Sequence, residues 1–494
     1  MVHPHSALST DLYQLTMACA AWRHRMHDQR TVFHLSYRRA PFGGAYTITA
    51  GLALVVEYLK GWRFDRAARD YLAEQRAADG GPRFPDGFLR WLEESRLEID
   101  LDAIPEGRLS FPHSPLLRVE GPLAQAQLLE TPLLSCLNFQ TLIATKASRV
   151  VDAAGGAPVL EFGLRRAQGL SAGLEAARAA YLGGCAATSN VAAGLAYQIP
   201  IRGTHAHSWV MLFQSELEAF TRYCEADPAD AVLLVDTYNT LQGVERAIEA
   251  ASTLRAQGHT LRGIRLDSGD LAALSQAARS RLDEAGFPEV QIVASDDLDE
   301  HKITQLKAAG AQIDCWGVGT RLVTGGEQSA LGGVYKLAGR LGESGWAWSV
   351  KRSENPIKVS YPGRLQLRRL FNRAEEPIGD ILWNLEEPGT LERSMIPNAA
   401  ELTWQNQPIQ LEKAVRGEEL LQPVLREGAL VNPLPSLEES RALAQRERAR
   451  LPAPLRSLQR DQRYPLALER GLAELRERLN STDQIATSEG PRNG

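Results

Sequence analysis

The chain has 494 residues, more than one hydrophobic core usually organises, so two or three domains are expected. Hydrophobic residues make up 44% and charged residues 23% of it, a composition that excludes fibrous and disordered proteins. The formal net charge of -5 argues against a sequence-independent nucleic-acid binder, which needs an excess of clustered Lys and Arg.

Residues 1–152 are predicted to form an N-terminal α+β domain that ends in a bridging helix. A capped helix start near Ser9 is followed by Thr31–Tyr37, which alternates like a strand, and then by a helix from about Thr47 to Leu59. After a charged helical segment and short strands, Thr131 resembles an N-cap before a long helix toward the second domain.

Between residues 153 and 338, short apolar runs are each followed by a polar or Gly-rich loop and a helical pattern. The runs recur roughly every 20 to 30 residues, the size of a βα unit. Val232–Val235 and Ile292–Ala294 are apolar throughout, as buried parallel strands are. The pattern predicts a parallel β/α barrel with its chemistry at the carboxyl ends of the strands, and it leaves an open doubly wound sheet as the alternative.

Residues 339–480 are predicted to be rich in strands and then helical, with helices at about 436–451 and 465–479. The strands either rejoin the first domain or form a third. Residues 481–494 are predicted to be a disordered tail.

No targeting signal or membrane segment is predicted. The N-terminus lacks a basic stretch followed by an apolar core, and no run of about 18 apolar residues occurs. The five cysteines are scattered, with no CxxC and no zinc-type spacing, so a structural metal is not expected. These patterns predict a cytoplasmic protein.

The segment Gly203-Thr-His-Ala-His-Ser-Trp-Val210 follows a short apolar run and is predicted to lie at a barrel strand end. It directs two imidazoles beyond the strand, and Ser208 is the expected N-cap of the next helix. We interpret His207 as the reactive group, with the roles of general base, metal ligand and nucleophile all open.

Two loops have the residue types of phosphate sites. In Arg265-Leu-Asp-Ser-Gly-Asp270, Ser268 and Gly269 precede a helix whose free N–H groups can bind phosphate, while Asp267 and Asp270 suit ribose hydroxyls or a cation such as Mg²⁺. Ordinary helix capping by Ser268 and Asp270 is equally open. Gly317-Val-Gly-Thr320 is a second candidate cradle.

Two further loops would supply charge and polar groups at the same mouth. Ser295 and Asp296 are candidates for ribose hydroxyls, and Asp297 with Glu300 has the spacing of a capping box. Arg165 and Arg166 follow another strand and can hold an anion by a bidentate fork. Together the loops indicate a site for a phosphorylated sugar and a second anion beside a histidine.

From Thr10 to about Arg364 the chain resembles the nicotinate phosphoribosyltransferase family. The motifs that carry the resemblance, in order, are TDLYQLTM (10–17), EFGLRRAQG (161–169), ATSNV (187–191), GTHAHSW (203–209), RLDSGDL (265–271) and GVGT (317–320).

The resemblance implies an irregular parallel β/α barrel of the type II phosphoribosyltransferases, with an N-terminal α+β domain and a C-terminal extension. It implies transfer of the ribosyl group of 5-phosphoribosyl 1-diphosphate to nicotinate, giving nicotinate mononucleotide and diphosphate in NAD biosynthesis. ATP would be a co-substrate, coupled through a phosphohistidine, and Mg²⁺ would accompany the diphosphate and ATP. A homodimer with shared active sites is implied as well.

The resemblance also assigns site residues. The catalytic set is the phosphorylated His207 with Asp236 and Asn239; the nicotinate set is Tyr13, Arg165, Thr204 and Arg265; and the phosphoribosyl diphosphate set is Asp267, Ser268, Gly269, Ser295, Asp296, Gly317, Gly319 and Thr320. One departure is Asn239, where many relatives have an Asp that orients the histidine, although Asn can still accept a hydrogen bond from imidazole.

Other functions remain compatible with parts of the pattern. A phosphoribosyltransferase for nicotinamide or another pyridine would not use Arg265 as a carboxylate partner. A non-catalytic nucleotide sensor on the same fold would keep the binding loops but has no need of His207. A barrel lyase or aldolase would need a strand-end Lys or a metal cluster, and none of the loops offers a Lys.

Overall fold

The computed structural model describes residues 6–353, 355, 358–387, 389, 391, 394–458 and 462–481. The chain divides into two compact units: unit 1 comprises Met1–Leu142 and Ala330–Gly494, and unit 2 comprises Ile143–Ser329. The C-terminal strands therefore rejoin the N-terminal domain, one of the two placements that the sequence left open. Of the predicted tail, Ser481 ends a helix and residues 482–494 lie outside the described residues.

The N-terminal part begins with a helix that has a capping box between Asp11 and Gln14. The helix expected from Thr47 starts only at Leu52, because Gly51 at its N-cap has φ 103° and the preceding residues form a short strand. The elements are α1 (Leu12–Arg23), β1 (Arg30–Tyr37), β2 (Thr47–Ile48), α2 (Leu52–Lys60), α3 (Arg66–Ala73), α4 (Asp86–Glu94), β3 (Asp100–Ala103), β4 (Leu109–Ser110), β5 (Pro115–Pro122), α5 (Leu123–Leu128) and α6 (Glu130–Ala154).

Unit 2 alternates short strands and helices. Its strands are mostly buried and apolar, as is typical of parallel strands covered on both faces, with Glu161 in β6 and Arg265 in β9 as the charged exceptions. The elements are β6 (Val159–Glu161), α7 (Leu170–Gly183), β7 (Ala187–Thr188), α8 (Val191–Tyr197), α9 (His207–Val210), α10 (Glu216–Ala226), β8 (Val232–Leu234), α11 (Thr240–Ala256), β9 (Gly263–Leu266), α12 (Leu271–Glu284), β10 (Gln291–Ala294), α13 (Glu300–Ala308), β11 (Cys315–Val318) and α14 (Thr320–Val323).

The six strands of unit 2 form one parallel sheet in the order β7-β6-β11-β10-β9-β8. The last strand, β11, pairs with the first, β6, so the sheet curls back on itself as a barrel does. Beyond β7, Ile201 adds a single parallel bridge to Thr188, and β8 is the opposite edge. The predicted irregular parallel barrel is confirmed, with an opening between Ile201 and β8.

The C-terminal part returns to unit 1 and is mostly antiparallel. The helix expected from about residue 465 begins at Arg470, because Leu466–Glu469 is a strand. The elements are β12 (Gly333–Gly342), β13 (Gly345–Trp348), β14 (Leu365–Phe371), β15 (Pro377–Asn384), β16 (Leu402–Trp404), β17 (Arg416–Glu419), β18 (Gln422–Arg426), β19 (Ala429–Leu430), α15 (Leu437–Arg450), α16 (Ala453–Arg456), β20 (Leu466–Glu469) and α17 (Arg470–Ser481).

The described strands of unit 1 form three sheets. A seven-stranded sheet has the order β13-β12-β1-β5-β3-β18-β19, a five-stranded sheet has the order β16-β20-β15-β14-β17, and β2 pairs with β4. The central strand β1 is antiparallel to both β12 and β5, so the N-terminal and C-terminal parts share one sheet. None of the helices within the described ranges is long and apolar enough to cross a membrane.

Candidate active site

The predicted site residues of unit 2 lie at the carboxyl ends of the parallel strands or shortly after them. Carboxyl ends of parallel strands meet at one edge of a sheet, so loops far apart in sequence become neighbours. Direct contacts link seven of the predicted residues into one cluster: Thr204, His207, Asp236, Arg265, Asp267, Ser268 and Ser295.

Asp267, which directly follows β9, is the centre of this cluster. Its Oδ1 accepts a hydrogen bond from the Ser295 hydroxyl and lies 3.4 Å from Nη2 of Arg265. Its Oδ2 lies 3.9 Å from Nε2 of His207. One carboxylate thus faces a hydroxyl, a guanidinium and the candidate reactive imidazole.

His207 is the first residue of α9, and its side chain is 40% exposed. Its Nδ1 lies 3.1 Å from the hydroxyl oxygen of Thr237. Asn239, expected to orient this histidine, instead caps α11 by accepting from the Gln242 N–H at 3.1 Å. Sequence reasoning missed Thr237, whose only signal is a hydroxyl in the same loop.

Asp236 accepts two hydrogen bonds from the loop after β9. Its Oδ2 accepts from the Asp267 N–H at 2.8 Å and from the Ser268 hydroxyl at 2.6 Å. Its Oδ1 is buried and has no hydrogen-bond partner among the described residues. Asp236 therefore keeps one oxygen available for a ligand, since a buried acceptor without a partner is costly.

The helix after this loop is capped by Asp270, whose Oδ1 accepts from the N–H groups of Ala272 and Ala273. Asp270 is thus a helix cap, one of the two roles that the sequence left open. The Ser268 hydroxyl does not cap the helix but donates a hydrogen bond to Asp236. Gly269 has φ 85°, a left-handed conformation that favours glycine.

Arg265 points its guanidinium across the strand end. Its Nη1 donates to the Thr204 hydroxyl, and its Nε has no hydrogen-bond partner within the described part of the chain. Burial lowers the pKa of Arg265, and Asp267 acts in the opposite direction. The group stays charged at neutral pH and retains donor capacity for an anion.

The loop after β10 is strained. Asp296 and Asp297 have φ values of 110° and 44°, which side chains rarely adopt. The expected capping box of Asp297 and Glu300 is wrong, because Asp299 caps α13 by accepting from the N–H groups of His301 and Lys302. Asp297 instead pairs with Arg321 at 3.2 Å.

Glu300 is fully buried between two cations of α6. Its Oε2 lies 2.5 Å from Lys146 Nζ, and its Oε1 accepts from Arg149 Nε at 3.1 Å. Burial acts to raise the pKa of Glu300, but the Lys146 ammonium outweighs it and the net shift is downward. This triad fixes the start of α13, directly after the strained loop.

Gly317 lies within β11, and the loop after this strand contains Gly319 and leads to the exposed Thr320, the first residue of α14. A Cβ at Gly317 would lie 2.7 Å from the Phe162 ring, so packing alone requires glycine there. At Gly319, the nearest heavy atom to an added Cβ would be the Phe162 carbonyl oxygen at 3.2 Å. The loop therefore packs tightly against the β6 loop.

The β6 loop presents Arg165 and Arg166 as exposed side chains on a single 3₁₀ turn. Behind them lies a buried residue that sequence reasoning missed, Glu161. Its two oxygens accept from the Gly163 N–H and, at 2.5 Å, from the Thr188 hydroxyl. Its two hydrogen bonds connect the β6 loop to β7. Burial raises the pKa of Glu161.

The structure corrects two predictions about the loop that contains His205 and His207. Ser208 lies inside the short helix α9, and the cap of the following helix, α10, is Ser215, whose hydroxyl accepts from the Glu218 N–H. Only one of the two imidazoles is exposed at the mouth, because His205 is buried.

Tyr13 lies apart from these loops, on α1 of unit 1. Its side chain is 48% exposed, and its hydroxyl accepts from Gln14 Nε2 at 3.3 Å. The structure of each unit by itself does not bring Tyr13 to the cluster.

Comparisons with known proteins cover nearly the whole chain. Family models match in three places: the nicotinate phosphoribosyltransferase (NAPRTase) N-terminal domain at residues 8–138, the NAPRTase family at 158–338 and the NAPRTase C-terminal domain at 364–476.

Curated relatives and a solved structure agree with these models. The chain is similar to the nicotinate phosphoribosyltransferase of Bacillus subtilis, with 45% identity over 74% of each chain. It is 40% identical to nicotinate phosphoribosyltransferase pncB2 of Mycobacterium tuberculosis, over 98% of this chain and 96% of that protein. The crystal structure of human nicotinic acid phosphoribosyltransferase matches with a TM-score of 0.78 and 33% identity, over 95% of this chain and 99% of that one.

Proposed function

The chain belongs to the nicotinate phosphoribosyltransferase family, and from that premise we propose that it joins nicotinate to the ribosyl group of 5-phosphoribosyl 1-diphosphate. The ring nitrogen of nicotinate attacks C1 of the ribose while the bond from C1 to the diphosphate oxygen breaks. Diphosphate leaves with that electron pair. The other product, nicotinate mononucleotide, serves NAD biosynthesis.

The observation that carries this proposal is the contact cluster of Arg265, Asp267 and His207 at the carboxyl ends of the barrel strands. Arg265 supplies a positive fork for the nicotinate carboxylate, since its Nε has no partner among the described residues. The Thr204 hydroxyl accepts a hydrogen bond from the guanidinium. Burial is the main cause that lowers the pKa of Arg265, and the positive charge of the exposed Arg165 acts in the same direction.

The phosphoribosyl diphosphate would lie across the loops after β9, β10 and β11. Backbone N–H groups near Gly269, Gly319 and Thr320 suit the phosphates, and the carboxylates and hydroxyls of the same loops suit the ribose. The transition state has cationic character at C1, so positioning and charge stabilisation contribute more than a strong base. Asp236 and Asp267 supply the negative charges of the cluster.

Mg²⁺ would arrive with the diphosphate. The described residues contain no group of three or more His, Cys, Asp or Glu side chains arranged to hold a metal ion by themselves. The partnerless Oδ1 of Asp236 and the exposed carboxylate of Asp296 fit a cation that already carries diphosphate oxygens. The ion would offset the charge of the leaving group.

ATP hydrolysis would be coupled through His207. An imidazole nitrogen takes the terminal phosphoryl group of ATP, ADP leaves, and water later releases phosphate. Neutral Thr237 occupies the Nδ1 side and Asp267 lies on the Nε2 side, so the orienting role expected of Asn239 passes to these two residues. A phosphoryl group there would add negative charge beside Arg265 and Asp267 and so alter their contacts.

The test measures nicotinate mononucleotide formation from nicotinate, 5-phosphoribosyl 1-diphosphate and Mg²⁺, with and without ATP. We expect wild type to be faster with ATP and His207→Ala to lose the ATP response while keeping slow ATP-independent synthesis. His259→Ala, which changes an exposed histidine after α11, is the matched control and should behave as wild type. Product formation with nicotinamide in place of nicotinate would instead favour the pyridine alternative.

A homodimer with shared sites is part of the proposal. Several large apolar side chains of unit 2 are exposed at the helices that begin near the strand ends: Leu170, Val191, Leu195, Met211 and Leu212. Leu12, Tyr13 and Met17 are exposed on α1. Exposed apolar groups in such numbers are typical of association surfaces, and Tyr13 would then stack on the pyridine ring in the site of the second copy.

Subunit complementation tests this arrangement. Tyr13→Ala and Arg265→Ala are each expected to be nearly inactive as homodimers, because every site lacks one nicotinate contact. After co-expression, half of a random set of dimers is mixed and has one intact site, so activity should recover to about a quarter of wild type. Recovery to no more than the average of the two variants would place Tyr13 in the site of its own subunit.

We also place the enzyme in the cytoplasm. The cysteines are scattered without paired motifs, as in proteins of a reducing compartment.

A further inference from the structure

The barrel of unit 2 has an open seam at β8. The Ala231 carbonyl accepts from the Arg262 N–H at 3.1 Å, and the Val235 N–H donates to the Arg265 carbonyl at 3.2 Å. Successive backbone groups of a strand alternate in direction. The Leu234 N–H is therefore directed away from β9, toward the side where the sheet has no further strand.

His205 occupies this side. The Leu234 N–H donates to Nε2 of His205 at 3.1 Å, and the contact is buried. Nδ1 of the same ring lies 3.3 Å from the Ala206 carbonyl, so Nδ1 carries the proton and Nε2 is the acceptor. Burial lowers the pKa of His205 to about 4, which keeps the ring neutral at physiological pH.

Aromatic residues of α10 hold the imidazole in place. Tyr223 packs edge-on with the ring centroids 4.7 Å apart, and Phe220 lies 6.0 Å away. His205 itself is 7% exposed. The ring has one orientation, fixed by packing on one side and by two hydrogen bonds on the others.

The other side of the seam is the segment before His205. The Arg202 N–H donates to the Thr188 carbonyl at 3.0 Å, and the Thr188 N–H donates to the Pro200 carbonyl at 3.0 Å. The chain around Ile201 is thus attached to β7, while the imidazole three residues beyond Arg202 is attached to β8. The His205 side chain thus accepts the hydrogen bond that the backbone of a further strand would accept from β8 in a closed barrel.

We propose that His205 is a positioning residue that joins the β7 side of the barrel to β8 and so sets the geometry of the catalytic cluster. Its neighbour Thr204 contacts Arg265, and His207 contacts Thr237, which lies three residues beyond the end of β8. Without the bond to Leu234, the loop that carries Thr204 and His207 can move relative to β8. The kinetic part of this inference rests on the proposed function.

The test compares His205→Gln with His205→Leu. The Gln amide oxygen reaches the position of Nε2 and can accept from Leu234, whereas Leu fills similar space without an acceptor. In hydrogen–deuterium exchange, the peptide containing Leu234 should exchange as in wild type for Gln and faster for Leu. The ATP-stimulated rate should fall about 10-fold or more for Leu, because small displacements of reacting groups are costly. For Gln, the rate should stay within about threefold of wild type.

His34→Leu is the matched control. His34 is also buried, and its Nε2 also accepts a backbone N–H, that of Leu365 at 3.3 Å, but it lies in unit 1. We expect it to lower stability without changing the ATP response or exchange at Leu234. If His205→Leu does not fold, His205→Asn takes its place in the comparison with His205→Gln, because the shorter Asn amide does not reach the Leu234 N–H.

Equal exchange at Leu234 in the Gln and Leu variants, or equal loss of the ATP response in both, would overturn the proposal. The exchange measurement needs no substrate. A wild-type protein that fails to use nicotinate would therefore refute the proposed function and still leave the role of His205 decided by exchange.

Discussion

Replacing Arg265 by Lys is expected to lower kcat/KM for nicotinate about 100-fold, roughly 2.7 kcal/mol of transition-state binding. Lysine keeps the positive charge but loses the planar fork that meets a carboxylate with two parallel hydrogen bonds. It also loses the contact from Nη1 to Thr204. Steady-state kinetics with each substrate varied in turn will measure the effect.

The loss should be specific to nicotinate. KM for 5-phosphoribosyl 1-diphosphate is expected to stay within about threefold of wild type, because the phosphates are assigned to backbone N–H groups near Gly269, Gly319 and Thr320, which the substitution leaves in place. Arg262→Lys is the matched control, since Arg262 is exposed and directly precedes β9, while Arg265 lies within that strand toward its carboxyl end. An equal loss for both substrates would assign Arg265 to the diphosphate and weaken the case for a carboxylate-bearing pyridine.

Replacing Glu300 by Gln is expected to destabilise the protein by about 3 to 5 kcal/mol. The change removes the negative charge that Glu300 places beside the buried Lys146 and Arg149, and removing one member of a buried ion cluster costs far more than breaking a surface pair. Urea denaturation followed by circular dichroism will give the difference in unfolding free energy.

The control for Glu300 is Asp283→Asn. Asp283 pairs with Arg279 on α12, but its side chain is 52% exposed, so a loss below about 1 kcal/mol is expected. A loss of that small size for Glu300→Gln would show that the triad contributes no more than a surface pair.

The pH dependence gives a second measure of the triad. Burial raises and Lys146 more strongly lowers the pKa of Glu300, so the folded-state value lies below the ordinary 4.5. A carboxyl with a depressed folded pKa contributes full stability above its unfolded pKa and loses it as the pH falls through the folded pKa. The difference between wild type and Glu300→Gln should therefore shrink at acidic pH below 4.5.

The alternation of short apolar runs and polar loops could be predicted from the amino-acid sequence. Strands buried on both faces are apolar, and each βα unit leaves its polar residues at the strand end, so the parallel strands and most site loops followed from local pattern, while a barrel and an open doubly wound sheet were both compatible with it. The family motifs then named Arg265, Asp267 and His207, and the structure brings these three residues into contact.

Residue roles within the loops were less readable, because they depend on which hydrogen-bond partner lies nearest. Asn239 and Thr237 sit two positions apart in one loop, yet one caps α11 and the other contacts His207. Both have a polar group of suitable chemistry. Only the path of the backbone decides which of them faces the imidazole.

The amino-acid sequence by itself determined the fold class, the family and the set of loops that form the site, because hydrophobic periodicity and motif order are local properties of the chain. Only the tertiary structure decided that His205 faces the barrel seam, that Glu300 belongs to a buried ion triad and that Gly317 is required by Phe162. Each of these roles depends on a partner at least 29 positions away. Contacts of that kind are set by how the strands close into a barrel, which no local pattern encodes.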